Sequence, residues 1–94
     1  MLFPKQARAV ETPSPALLVL NKGDKQLAII DPESGKVVAR VGVGEGPHEV
    51  TVSPNGKFAY VGNYGQQTPG NTISVIDPPV QAELFRVDLG PRMA

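Results

Sequence analysis

The chain has 94 residues, so it forms one domain at most, and a domain of this size buries only roughly two thirds of its unfolded surface. Nine lysines and arginines balance nine aspartates and glutamates without a run of either sign, which argues against a nucleic-acid partner or a polybasic membrane surface, since both need clustered positive charge. The absence of cysteine removes disulfide scaffolds and thiolate metal sites, and no apolar run approaches the length of about 20 residues that a membrane span requires.

Ten glycines and ten prolines favour short strands joined by turns. Met1 to Pro15 has little periodicity and carries Pro4, Pro13 and Pro15, the pattern of an extended N-terminal arm. Ala7-Arg8-Ala9 has the small-x-small form of a signal-peptidase site but no apolar segment before it, so no complete signal peptide is read here. Ala16 to Leu20 and Gln26 to Ile30 are apolar runs separated by the polar turn Asn21-Lys22-Gly23-Asp24, and they suit strands of a sheet covered on both sides. Asp31-Pro32-Glu33-Ser34-Gly35 predicts the next turn and Lys36 to Val43 the third strand. Gly42-Val43-Gly44-Glu45-Gly46 is followed by Pro47 and another strand rather than a helix, so it reads as a strand-to-strand crossing and not as a phosphate-binding loop.

His48 to Ser53 and Phe58 to Gly62 alternate β-branched and aromatic residues around Ser53-Pro54-Asn55-Gly56-Lys57, the pattern of a tight antiparallel hairpin. The second half then repeats the first. Asn71 to Pro78 follows Lys25 to Pro32, and Leu84 to Gly90 follows Val38 to Gly44, both at the offset of 46 residues that separates Asp31 from Asp77. Ala59 to Asn63 follows Leu17 to Asn21 at 42, the separation of Asn21 from Asn63, so the second unit carries four extra residues within Tyr64 to Gly70. A repeat of about 40 to 45 residues with four strands is the size of a propeller blade.

Val43 to Lys57, then Tyr60-Val61-Gly62-Asn63, then Ile73-Ser74-Val75-Ile76-Asp77, resembles the YVTN family of β-propeller repeats, which includes YncE-like and surface-layer-type proteins and is similar to lactonase-like seven-bladed propellers. The family's Tyr-Val-Thr-Asn stands here with Gly62 in place of threonine. The resemblance covers Ala16 to about Gly90. It implies an all-β fold, a fragment of a β-propeller with one complete four-stranded antiparallel blade, residues 48–94, and strands B, C and D of a preceding blade, residues 16–47, behind the arm of residues 1–15. The complete blade would use His48 to Ser53, Lys57 to Gly62, Asn71 to Ile76 and Ala82 to Leu89 as strands A to D, with a loop insertion at 64–70. Phe58, Tyr60, Val50, Val52, Ile73 and Val75 are then expected in its packed part.

A closed propeller needs about four to eight blades, so the resemblance implies either a piece of a longer protein or several copies in assembly. The partners expected are further blades, or self-association through blade faces and an exposed strand edge. An isolated copy is not expected to be a stable monomer at micromolar concentration. A periplasmic or extracellular location also follows from the resemblance alone.

His48, the single histidine, falls at the start of the innermost strand, which makes it the candidate for facing a ligand or the central channel; capping the strand entrance is the competing structural role. A Ser-His-Asp site would need His48, yet Ser53 lies in the hairpin turn and no Gly-x-Ser-x-Gly elbow exists, so no catalytic residue is assigned. One histidine cannot complete a zinc or copper site by nitrogen and sulfur ligands, and Asp24, Glu45 and Glu49 lack calcium-loop spacing, so neither metal nor cofactor is expected and these carboxylates read as solvated loop charges. Tyr64, Gln66 and Gln67, in the insertion peculiar to the second unit, are the candidates for a function specific to this protein. The reading is a non-catalytic binding or scaffold module with its ligand unspecified. The alternative is part of a lactonase-like hydrolase or propeller-type oxidoreductase completed by blades absent from this chain.

Overall fold

The structure, a computed structural model, describes residues 11–66 and 69–90, and among these it has seven antiparallel strands and no helix. They are β1 (Leu17–Asn21), β2 (Gln26–Ile30), β3 (Val37–Gly42), β4 (Pro47–Val52), β5 (Ala59–Gly65), β6 (Pro69–Asp77) and β7 (Ala82–Asp88). The first three form one sheet in the order β1-β2-β3, and the other four form a second in the order β4-β5-β6-β7. This is one four-stranded propeller blade stacked on three strands of a preceding blade, as the repeat implied. Ala7-Arg8-Ala9 and Gln67 lie outside the described residues.

Local chemistry accounts for the turns. In the β4–β5 hairpin the Gly56 amide donates to the Ser53 carbonyl at 2.8 Å, the Ser53 amide to the Phe58 carbonyl at 2.9 Å, and the Asn55 side-chain oxygen accepts from the Lys57 amide at 3.0 Å. After β2, Asp31 accepts the Glu33 amide on its carboxylate at 2.9 Å and the Gly35 amide on its carbonyl at 2.7 Å. Asp77 repeats the device after β6, taking the Val80 amide at 3.1 Å and the Gln81 amide at 2.8 Å. These aspartates reverse the chain by satisfying its freed amides, which is why Asp-Pro recurs at the same point of each unit.

The register also repeats. β2 and β3 slip by one residue at Val38, and β6 and β7 slip at Leu84, its counterpart 46 residues on. Each bulge increases local twist at the outer strand of its sheet.

Residues directly opposite in an antiparallel pair share a face, so the register assigns every side chain to one side. One face of the first sheet, with Leu18, Leu27, Ile29 and Val41, packs on one face of the second, with Ala59, Val61 and Ile76. Leu27, Ile29, Ala59, Val61 and Ile76 are fully buried there. Burying a valine, leucine or isoleucine side chain contributes about 1.5–3 kcal/mol, so the space between the sheets is where the apolar stabilisation is concentrated.

The outer faces are a different matter. β1 was expected to be covered on both sides, but it alternates, with Leu17 and Val19 at 50% and 41% exposure on the outer face. Of the residues expected in the packed part of the blade, Val75 is buried, while Phe58, Tyr60, Val50 and Ile73 are half-buried. Val52 is exposed, because β4 is an edge strand and its end has no neighbour beyond it.

The segment Tyr64 to Gly70 is not a loop throughout. β5 runs on to Gly65 and β6 begins at Pro69, with Gly65 opposite Pro69, so most of the extra length lengthens the β5–β6 hairpin. The reason lies in the crossing from β3 to β4. The Tyr64 amide donates to the Gly46 carbonyl and the Gly65 amide to the Glu45 carbonyl, both at 2.9 Å, so the glycine-rich crossing segment gives the end of β5 a partner just before β4 begins. The crossing function read from Gly42 to Gly46 holds, and it has this second role.

Candidate functional site

His48 sits in a bulge. Pro47 lies opposite Asn63 and Glu49 opposite Gly62, so His48 is the extra residue on β4, and a bulge of this kind re-aims the side chain it carries. Its exposed ring lies against that of Tyr64, with centroids 4.7 Å apart and planes at 31°. The Tyr64 hydroxyl donates to Glu49 Oε1 at 3.0 Å. Three side chains from two adjacent strands therefore form one cluster at the β4 edge of the second sheet: an imidazole, a phenol and a carboxylate.

Glu49 also borders a shallow hollow of about 520 Å³ on the outer face of the second sheet, lined further by Val50, Thr51, Tyr60, Gly62 and Ile73. Gly62 contributes no side chain, and the hollow lies over that position. An apolar floor with one carboxylate at its rim can accept an aliphatic or aromatic group that carries a donor.

The cluster does not extend to Ser53. That hydroxyl donates to Asn55 Oδ1 at 2.7 Å and accepts the Phe58 amide at 3.0 Å, inside the hairpin turn. It lies five residues from His48 along a strand that rises about 3.4 Å per residue, which leaves the two side chains on the order of 15 Å apart. The structure thus keeps the one histidine away from that serine.

The other carboxylates considered are engaged singly. Asp24 accepts from the Asn21 amide group at 3.1 Å, and Glu45 pairs with Lys25 at 3.4 Å with both side chains about half exposed, a geometry that contributes little to stability. Among the described residues no three histidines or carboxylates come together as a metal-binding group, and no helix is long and apolar enough to cross a membrane. Tyr64 belongs to β5 and to the His48 cluster, and Gln66 is exposed at the bend beyond it.

Sequence reasoning missed a buried polar row. Asn63, 2% exposed, donates through Nδ2 to Thr72 Oγ1 and to Ser74 Oγ, both at 3.0 Å. Ser74 in turn bonds to Glu83, which holds Arg86 through two contacts of 2.9 and 3.0 Å. Burial pushes the Glu83 carboxyl up, but the hydrogen bonds from Arg86 and Ser74 and the Arg86 charge outweigh it and hold the group below its usual value. The bond to Glu83 keeps Arg86 protonated more firmly than usual, against the opposing effect of burial. The signal was present, since Thr72 and Ser74 alternate with Ile73 and Val75 along β6 and so point a polar pair to one face. This row joins β5, β6 and β7 on the core side and faces away from the His48 cluster.

No family model matches the chain, and no curated protein matches it. Among solved structures it is similar to Kuenenia stuttgartiensis hydrazine synthase, with a TM-score of 0.74 and 26% identity over 81% of this chain and 21% of that one. The chain thus spans about a fifth of the length of that neighbour, and the similarity supports the stacked-blade architecture set out above.

Proposed function

We propose that this chain is a non-catalytic binding or scaffold module of a YVTN-type, YncE-like β-propeller. The observation that carries this reading is the open outer face at each end of the two-sheet stack. Leu17 and Val19 at one end and Phe85 and Val87 at the other are 38 to 56% exposed, on the faces of the two sheets that point away from the packed core between them. Apolar faces of this kind suit a stacking unit that continues into further blades. A periplasmic or extracellular setting accompanies the family resemblance and rests on it.

The test is to sequence the DNA on both sides of the coding region. The module reading expects further units of about 40 to 45 residues with Ser-Pro-Asn-Gly-Lys-like hairpins. Flanking sequence that codes for no such unit would overturn it.

A second reading draws on the His48–Tyr64–Glu49 cluster at the β4 edge. On this reading the chain is part of a lactonase-like hydrolase or a propeller-type oxidoreductase, with His48 one contributor to a site completed by other blades. The solved neighbour is named as a synthase, which makes an enzyme context for such blades reasonable. Histidines and acids at the positions of His48 and Glu49 in the flanking units would favour this reading over the scaffold.

A further inference from the structure

The two open faces are the two halves of an interface that the chain already makes once. On the second sheet the open face carries Tyr60, Ile73, Val75, Phe85 and Val87. Stepping back by 42 residues on β5 and by 46 on β6 and β7, these positions become Leu18, Leu27, Ile29, Ala39 and Val41. That is the face of the first sheet buried against the second.

The correspondence runs the other way as well. The open face of the first sheet carries Leu17, Val19, Ala28, Ile30 and Arg40. The same offsets forward give Ala59, Val61, Ser74, Ile76 and Arg86, the face of the second sheet that packs on the first, where all but the exposed Arg86 are buried. Even the buried Asn63, which packs under Gly44, has a counterpart in the exposed Asn21, and Gly90 stands at the position of Gly44.

We infer that copies of this chain dock head to tail, with the open face of the second sheet of one copy on the open face of the first sheet of the next, repeating the interface within each chain. The inference rests on the reading of the chain as a stacking module and names its partner for the 94-residue protein as a second copy of itself. The two surfaces differ, so the contact is heterologous, and such contacts propagate until a ring closes or a filament forms. The hollow beside Gly62 is then part of an interface, since Gly62 stands where the first sheet has Leu20.

Sedimentation velocity and light scattering on the 94-residue chain across the micromolar range test this, with Phe85→Asp blocking one face and Val19→Asp the other. Both positions are more than 40% exposed, so the substitutions leave the core intact, and circular dichroism checks that they do. Wild type is expected to form species larger than a dimer. Each single variant is expected to self-associate about tenfold or more weakly, since each would bury an unpaired charge. An equimolar mixture of the two is expected to recover association and to stop at the dimer, because only one intact pair of faces remains.

A monomeric wild type overturns the proposal. So does a mixture that does not associate, or a result in which Phe85→Asp abolishes association while Val19→Asp does not, which would mean that like faces pair. Should either variant unfold, Val87→Asp and Leu17→Asp on the same two faces replace them and are read in the same way. The module reading fails separately: a monomeric chain whose flanking DNA encodes further units sinks only the docking of copies, whereas an oligomer with unrelated flanks sinks the reading as a module of a longer propeller and leaves the docking of copies standing.

Discussion

Substituting Gly46 by alanine tests how the crossing segment and the end of β5 hold each other. Gly46 has φ of +64°, and a Cβ built there meets the Gly65 carbonyl oxygen in a forbidden contact, with Gly65 N at 2.9 Å also in the way. Both obstacles are backbone, so no side-chain rotation relieves them. A Cβ-bearing residue at positive φ costs about 1 kcal/mol. Moving the two segments apart also strains the hydrogen bonds from Tyr64 to Gly46 and from Gly65 to Glu45, whose loss costs about 0.5–1.5 kcal/mol each. Gly46→Ala is therefore expected to destabilise by about 2–4 kcal/mol in total.

Gly56→Ala supplies the control. Gly56 has φ of +73° but nothing within 4 Å of its Cβ position, so only the conformational cost of about 1 kcal/mol applies. Urea unfolding followed by far-ultraviolet circular dichroism, at one protein concentration and with the oligomer distribution checked, measures the difference. Equal destabilisation by the two substitutions would refute the argument, because it would mean that the clash with Gly65 is relieved at no cost.

Other outcomes follow from the same geometry. The Tyr64 and Gly65 amides are expected to exchange as slowly as that of Val61, since both are bonded to the crossing segment, whereas a fully mobile insertion would exchange quickly at both; hydrogen exchange resolved by residue decides. Asn63→Ala should cost about 1–3 kcal/mol in urea unfolding by removing the donor to the half-buried Thr72 hydroxyl and the buried Ser74 hydroxyl, and a neutral result would mean that the polar row is dispensable. Because the folded Glu83 carboxyl lies below its usual value, its contribution to stability is present above the unfolded value of about 4.3 and is lost as pH falls through the folded one. Glu83→Gln should thus be less stable than wild type at neutral pH and converge with it in acid, and a difference independent of pH would contradict this. His48→Ala should lower stability by no more than about 1 kcal/mol, the contribution of an exposed ring pair, and a larger loss would show that His48 supports the blade rather than standing free for a ligand.

Strand identity and order were legible in this sequence because they depend on neighbours along the chain. The apolar run at Gln26 to Ile30 and the turn chemistry of Asp31-Pro32 and Ser53-Pro54-Asn55-Gly56 act over a few residues, and the 46-residue offset from Asp31 to Asp77 makes each half a check on the other. That His48 falls on the strand that opens the second unit could be read for the same reason. What the tertiary structure decided is everything that depends on a segment distant in sequence. Tyr64 and Gly65 look like loop residues until Gly46 and Glu45 arrive to accept their amide protons, and His48 meets Tyr64 only because a bulge in β4 turns it there. The buried role of Asn63, against the exposure of its counterpart Asn21, follows from the presence of Gly44 over one and of no such segment over the other. An alternating strand specifies that one of its faces is apolar; which face is buried depends on the sheet packed against it, and here that sheet lies on one side of each unit only.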